Sequence, residues 1–92
     1  MTDLEITKLC AEAMGIYMTT TGYVLIGRVD NHPYNPLHDD AQAMALVKKF
    51  RLSIDVYGKW IVKDAKGNHP SVLNHDLNRA ICGCVAKMQK AK

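Results

Sequence analysis

Apolar residues recur at helical spacing in three parts of the chain. The first part opens with Thr2-Asp3-Leu4-Glu5, which matches a capping box, where a Thr oxygen and a Glu carboxylate accept from free N–H groups at a helix start. Apolar residues then follow at i, i+3, i+4 and i+7, namely Ile6, Leu9, Cys10 and Ala13. Gly15 supplies a stop. This pattern predicts a helix over residues 3–14.

Two later segments show the same period. The second carries Ala43, Leu46, Val47 and Phe50, with Asp39 or Asp40 available as a cap and with Lys48 and Lys49 in the last turn, where the helix dipole favours positive charge. The third places Leu77, Ile81, Cys84, Val85 and Met88 on one stripe, with Asn74 as a plausible cap. These patterns predict helices over residues 39–50 and 75–90.

Period-two alternation predicts a hairpin between the second and third helices. Leu52, Ile54 and Val56 alternate with Ser53, Asp55 and Tyr57, and Gly58-Lys59 can form a type II′ turn into the strand Trp60-Ile61-Val62-Lys63. In that register Val56 opposes Ile61 and Tyr57 opposes Trp60, so both faces carry apolar bulk. We therefore expect a sheet that is covered on both sides.

The remaining segments are shorter. Thr19-Thr20-Thr21-Gly22 is β-prone and ends in a turn, and Tyr23–Ile26 is a short strand with Gly27 behind it. Residues 30–40 hold two prolines and several turn formers and predict an irregular surface loop, as does the stretch between the Asp64–Gly67 turn and Asn74. The chain thus predicts one compact α+β domain over residues 1–92, with a small antiparallel sheet of about 3–4 strands packed with the three helices.

Composition supports a globular chain. The 92 residues are 48% hydrophobic, without a low-complexity tract. The N-terminus lacks the basic start and apolar stretch of a secretory signal, and no run approaches the roughly 20 apolar residues of a membrane span, so a cytoplasmic protein is the default expectation. Cys10, Cys82 and Cys84 are odd in number and lack CxxC spacing, which favours structural thiols over a zinc or redox site.

Charge is divided unevenly between the two parts of the chain. Residues 1–40 hold two Lys or Arg against six Asp or Glu, a net charge of −4, whereas residues 41–92 hold ten against three, a net charge of +7. This asymmetry suggests a basic face that seeks an acidic partner, of which nucleic acid is the commonest.

Residues that could support catalysis are present but poorly spaced. The candidates for metal binding or acid–base work are His32, His38, Asp39, Asp40, His69, His75 and Asp76. None forms a helical His-x-x-x-His pair, and Ser71 has no nucleophile-elbow motif around it. We therefore expect no enzyme activity, no metal and no cofactor.

Four segments of the chain are informative together: Leu4–Gly15 (LEITKLCAEAMG), Tyr34–Phe50 (YNPLHDDAQAMALVKKF), Trp60-Ile61-Val62 and Leu77–Met88 (LNRAICGCVAKM). Taken together, they resemble the phage ABA-sandwich family. Ala-Glu-x-Met-Gly and Arg-Ala-Ile-Cys carry most of the resemblance. It implies a small α/β protein of bacteriophage origin, with a sheet between helices and no established enzyme activity for the family. Residues 17–28 are predicted to form a strand pair where a variable loop is expected in the family, which leaves the strand count open.

A phage origin favours a protein that binds and disables a host machine. The function then resembles that of phage inhibitors of type I CRISPR immunity, which dock on an RNA-guided surveillance complex of protein subunits and guide RNA in the infected cell and block target DNA. No membrane and no small-molecule substrate are expected. The basic residues proposed for the contact lie mainly in the hairpin and at the end of the second helix, and Tyr34 could stack on an unpaired base. The expected site comprises Arg28, Tyr34, Lys48, Lys49, Arg51, Lys59, Lys63 and Lys66.

Plainer interpretations stand beside this one. Lysines at turns and helix ends are ordinary solvated residues, and a Tyr beside prolines often packs a loop. Trp60 is better explained as a core residue that anchors the sheet than as a stacking platform. A small phage DNA-binding or host-takeover regulator is the alternative function, although no helix-turn-helix spacing is evident.

Overall fold

The computed structural model describes residues 2–15, 17–18, 23–26, 30–67 and 71–91. Three helices span α1 (Asp3–Ala13), α2 (Asp40–Phe50) and α3 (Leu77–Lys90). The three predicted helices are confirmed, with ends that differ by at most two residues. Gly15 follows α1 with φ of 72°, the left-handed conformation expected of a glycine stop.

Side-chain caps begin each helix. Thr2 Oγ1 accepts from the Glu5 N–H at 3.1 Å, and Asp39 Oδ1 accepts from the Gln42 N–H at 3.0 Å. The predicted Asn74 cap is wrong, because Asp76 caps α3. Asn74 instead accepts from the Asp76 N–H at 2.9 Å, which holds the turn into the helix.

The first sheet is formed by the part of the chain between α1 and α2. It consists of β1 (Tyr17–Met18), β2 (Tyr23–Ile26) and β3 (Asp30–Pro33), antiparallel and in that order. The predicted strand Tyr23–Ile26 is confirmed, whereas Thr19–Gly22 and Gly27 lie outside the described residues. The predicted loop over 30–40 is wrong at its start, since residues 30–33 form β3. Pro33 is compatible with this because β3 is an edge strand, where a missing N–H donor is tolerated.

The second sheet contains β4 (Leu52–Tyr57), β5 (Lys59–Asp64) and β6 (Val72–Asn74), again antiparallel in chain order. β6 corrects the prediction of a loop up to Asn74. The hairpin exists, but its predicted register is wrong by one residue: Val56 pairs with Trp60, and Tyr57 pairs with Lys59 around Gly58 alone. Gly58 makes this turn with φ of 74°, a conformation that glycine adopts without steric cost.

The corrected register separates the two faces of this sheet. Even-numbered residues of β4 and β5 share the inner face, where Leu52, Val62 and Asp64 are buried, and Trp60 packs against the core as predicted. The outer face carries Asp55, Tyr57, Lys59, Ile61, Lys63 and Leu73. Tyr57 is 88% exposed, so the expectation of a sheet covered on both sides is wrong.

Helix α3 is the centre of the fold. It packs against α1, α2, β5 and β6, and Ala80, Ile81, Cys82, Cys84, Val85 and Ala86 are all buried. Gly83 allows a close approach to the sheet, since a Cβ built there would lie 3.4 Å from Val72 Cγ1. The α+β class is confirmed, with three helices and two three-stranded antiparallel sheets in the described residues, of which the second packs against α3. Within the described ranges, no helix has the length and apolar character needed to cross a membrane.

Candidate nucleic-acid interface

The three helices begin at the same end of the molecule. The Arg79 guanidinium at the start of α3 donates two hydrogen bonds to the Asp3 carboxylate of α1, at 2.7 and 3.1 Å. Asn78 Nδ2 donates to Asp40 Oδ1 at the start of α2, at 2.8 Å. The Arg79 hydrogen bond holds the pKa of Asp3 below its ordinary value. Acidic groups are favourable at helix N-termini, so this end collects carboxylates, whereas the last turns of α2 and α3 carry lysines at the opposite end.

A basic pocket lies where α2 ends beside the turn after β5. Its volume is about 360 Å³, and its lining consists of Lys49, Phe50, Arg51, Asp64, Ala65 and Lys66. Three cationic side chains from two segments of the chain therefore surround one opening. We call this set of six residues the basic pocket.

Strand pairing explains why these segments meet. Helix α2 ends at Phe50, and Arg51 adopts a left-handed conformation with φ of 52° that directs the chain straight into β4. The first residue of β4, Leu52, pairs with Asp64, the last residue of β5. The turn after β5 thus lies beside the C-terminus of α2, and it brings Lys66 to the helix end.

Asp64 organises the floor of the pocket. It is only 7% exposed, and its Oδ1 accepts from the Lys66 N–H at 3.0 Å while its carbonyl oxygen accepts from the Gly67 N–H at 2.9 Å. A buried carboxylate needs such partners. Asp64 also offsets part of the positive charge, so the three cations and one carboxylate leave a net charge of +2 in the lining.

The cations themselves remain accessible. Lys49, Arg51 and Lys66 are exposed, and the Lys49 ammonium lies 5.7 Å from the centroid of the Phe50 ring, a distance suited to a cation–π contact. Lys49 also lies in the last turn of α2, where it compensates the free carbonyl groups of the helix end. An anionic group can therefore reach these three cations without any local unfolding of the protein.

The structure brings together only part of the predicted site. Lys48 is exposed beside the pocket, and Lys63 lies close by in sequence but on the outer face of the sheet. Lys59 lies at the other end of β5, about 17 Å away at roughly 3.3 Å per residue, so it does not join the pocket. Arg28 lies outside the described residues.

The proposed stacking role of Tyr34 is wrong for this conformation. Tyr34 is 8% exposed and belongs to the hydrophobic core, so its ring is not available to a base. Its hydroxyl is buried with no hydrogen-bond partner in the described part of the chain. Burial raises the pKa of Tyr34, which keeps the hydroxyl protonated. The loop-packing interpretation therefore fits this residue.

Three residues that line the pocket are not indicated by the sequence pattern: Phe50, Asp64 and Ala65. Asp64 was predicted only as the start of a turn, and Phe50 only as a core residue. A signal was present, because a hairpin that begins at Leu52 must return its second strand to the end of α2. That signal depends on the register, which was predicted one residue away from the observed pairing.

The cysteines are structural in the described fold. Cys10, Cys82 and Cys84 are free and buried, and the Cys10 thiol donates to the Cys82 carbonyl oxygen at 3.5 Å. Hydrogen bonding to Cys82, together with burial, raises the pKa of Cys10, and burial raises the pKa of Cys84. Cys82 and Cys84 point in different directions, yet both are buried because α3 is surrounded on several sides. Both shifted thiols thus stay protonated and unreactive near neutral pH.

Among the described residues, the candidates for a metal site do not converge. In the portion of the chain that the structure describes, no group of three or more His, Cys, Asp or Glu side chains is placed to hold a metal ion. His38 and Asp39 lie at the acidic end, where Asp39 is occupied as a helix cap, and His69 lies outside the described residues.

Comparison with protein families, with curated proteins and with solved structures finds no match for this chain.

Proposed function

We propose that this protein is a binding protein without enzymatic activity, and that its basic pocket contacts the phosphate backbone of a nucleic acid carried by its partner. The observation that supports the proposal is the convergence of Lys49, Arg51 and Lys66 from two chain segments around one opening. Lys48 is also exposed and adds a second positive charge to the last turn of α2. Phosphate contacts of this kind supply affinity without sequence specificity, because Lys and Arg neutralise backbone charge and release counterions.

We further propose the narrower function that the family resemblance suggests. In it the partner is the RNA-guided CRISPR surveillance complex of a bacterial host, and the protein blocks target DNA by occupying a surface near the guide RNA. The resemblance to phage ABA-sandwich proteins supports this choice of partner, and the small basic surface is compatible with a complex that presents both protein and RNA.

Nucleic-acid binding is tested with a paired charge reversal. The variant Lys49→Glu with Lys66→Glu is expected to bind a short single-stranded RNA at least about tenfold more weakly in fluorescence anisotropy. The plot of the log of the association constant against log salt concentration, between about 50 and 200 mM, should become less steep by about 1.4. Each lost contact to a single strand removes about 0.7 from the magnitude of the slope.

A matched control separates the pocket from overall charge. Lys8→Glu with Lys90→Glu changes the net charge equally, and Lys90 lies in the last turn of α3 as Lys49 does in α2. We expect this control to bind RNA nearly as well as the parent protein. An equal loss of affinity in both variants would refute the pocket as the contact.

The narrower function has its own test. Immobilised protein should recover a multi-subunit ribonucleoprotein from a lysate of an immune bacterial strain, and expression of the protein should restore phage plating on that strain. The alternative, a DNA-binding regulator, predicts that the protein alone shifts a short DNA duplex. Failure to recover the complex and to restore plating would eliminate the immune-inhibitor function while leaving the RNA measurement to stand by itself.

A further inference from the structure

The outer face of the β4–β5–β6 sheet is an open surface with mixed apolar and basic character. Ile61 lies at its centre, paired across the strands with Asp55 on one side and Leu73 on the other. Tyr57 is 88% exposed and Leu73 is 56% exposed, and both point away from the helices. Large apolar side chains grouped on an open sheet face are typical of an interaction surface.

Two lysines flank this apolar strip along the central strand. Lys59 and Lys63 occupy the outer face of β5 on either side of Ile61, and both are exposed. They are four positions apart on the strand, which separates them by about 13 Å. Eight residues of an α-helix rise about 12 Å, so carboxylates two turns apart on a helix match this spacing.

We propose that the outer face binds an acidic amphipathic helix of another protein. The apolar stripe of that helix covers Tyr57, Ile61 and Leu73, and acidic residues about two turns apart meet Lys59 and Lys63. The strip spans about 14 by 20 Å, close to the footprint of a short helix with its side chains. Because this area is small, the affinity is of micromolar order. This site is separate from the basic pocket and does not rest on the proposed function.

Two other occupants fit less well. A second copy of the chain packed on this face would bury about 280 Å² per protomer, against about 800 Å² in a standard stable interface. Single-stranded nucleic acid prefers several stacking rings, but Tyr57 is the sole aromatic residue among the described side chains of this face.

The test is a selection from a displayed library of helical peptides with a fixed apolar stripe and randomised polar positions. Selection on the parent protein should enrich Asp or Glu about eight positions apart. A synthetic enriched peptide should bind Tyr57→Ser with Leu73→Ser at least about tenfold more weakly, and it should lose affinity similarly for Lys59→Glu with Lys63→Glu. Replacing its paired acids with Lys should restore binding to the latter variant.

Controls and contrary outcomes are well defined. Lys49→Glu with Lys66→Glu should bind the peptide as the parent protein does, which makes failure of this site distinguishable from failure of the basic pocket. The proposal is overturned if no acidic amphipathic peptide is enriched, or if the enriched peptide still binds the serine variant. It is equally overturned if that variant loses binding to oligouridylate or loses a dimer seen by sedimentation, because the face then serves RNA or a second copy.

Discussion

On the inner face of the β4–β5–β6 sheet, Val62 is fully buried among residues of the core and Trp60 packs against them, whereas on the outer face Leu73 and Tyr57 are exposed. The two faces come from the same three strands, because successive residues along each strand point to opposite faces. Apolar side chains occur on both. The difference is that α3 packs against the inner face, where only the hairpin end at Val56 stays largely exposed among the described apolar residues.

This contrast separates stability from binding within one sheet. An apolar side chain that is removed from water in the folded monomer contributes to the free energy of unfolding, while one that stays exposed contributes only when a partner covers it. We therefore expect substitutions at the buried inner-face positions to lower stability, and outer-face substitutions to lower binding with little effect on stability.

The largest expected effect is at the centre of the inner face. Val62→Ala should lower the free energy of unfolding by about 2–3 kcal/mol, because two fully buried methyl groups are lost and a cavity remains. Urea denaturation followed by circular dichroism measures this change.

Leu73→Ala is the matched outer-face control. It removes more apolar volume than Val62→Ala, yet it should change the free energy of unfolding by less than about 0.5 kcal/mol, because Leu73 is largely exposed. Similar losses at the two positions would mean that the outer face is covered in the folded protein, and the contrast between the faces would fail.

The sequence predicted the helices well, and it did so for physical reasons. Period 3.6 over eleven or more residues, with Thr2 and Asp39 as caps, is a local signal that needs no tertiary information. β3 and β6 were missed because strands of four and three residues are too short to show alternation, and Pro33 disfavours a strand unless it lies at an edge.

The candidate site was less predictable because it depends on pairing. Charge along the sequence places Lys49, Lys59 and Lys66 in one basic half of the chain, but only the register decides that Lys66 reaches the end of α2 and that Lys59 does not. A slip of one residue exchanges the faces of a strand, so the error at Gly58 also concealed the outer face.

Tyr34 is a core residue at which a substitution is expected to stabilise the fold. Tyr34→Phe should raise the free energy of unfolding by about 1 kcal/mol, because a buried hydroxyl without a partner in the described structure carries a desolvation cost that Phe avoids. Thermal and urea denaturation measure the change. A loss of more than about 1 kcal/mol would show that the hydroxyl forms a hydrogen bond in solution.

At the basic pocket, stability and binding should move in opposite directions. Arg51 has φ of 52°, which is unfavourable for a residue with a Cβ, so Arg51→Gly should raise the free energy of unfolding by less than about 1 kcal/mol while weakening RNA binding. Denaturation and anisotropy measure the two effects.

Arg51→Ala separates the two causes at this position. It removes the charge and keeps the backbone strain, so it should weaken RNA binding as Arg51→Gly does but without the gain in stability. Equal stability of the two variants would mean that the left-handed backbone at this helix end costs nothing, and that the conformation is not maintained against strain.

The smallest effect is expected at the acidic end, at the ion pair between Asp3 and Arg79. The folded-state pKa of Asp3 lies below its ordinary value of 3.8 because Arg79 donates to the carboxylate. The pair therefore stabilises the fold above the unfolded pKa and loses this contribution as pH falls through the folded pKa. Asp3→Asn should have a lower free energy of unfolding than the parent protein at pH 7, and this difference should disappear as acid protonates Asp3.

Glu5→Gln, in the same first turn, controls for the helix dipole. A gap that persists in acid, or one that Glu5→Gln reproduces, would assign the effect to the helix terminus rather than to the ion pair.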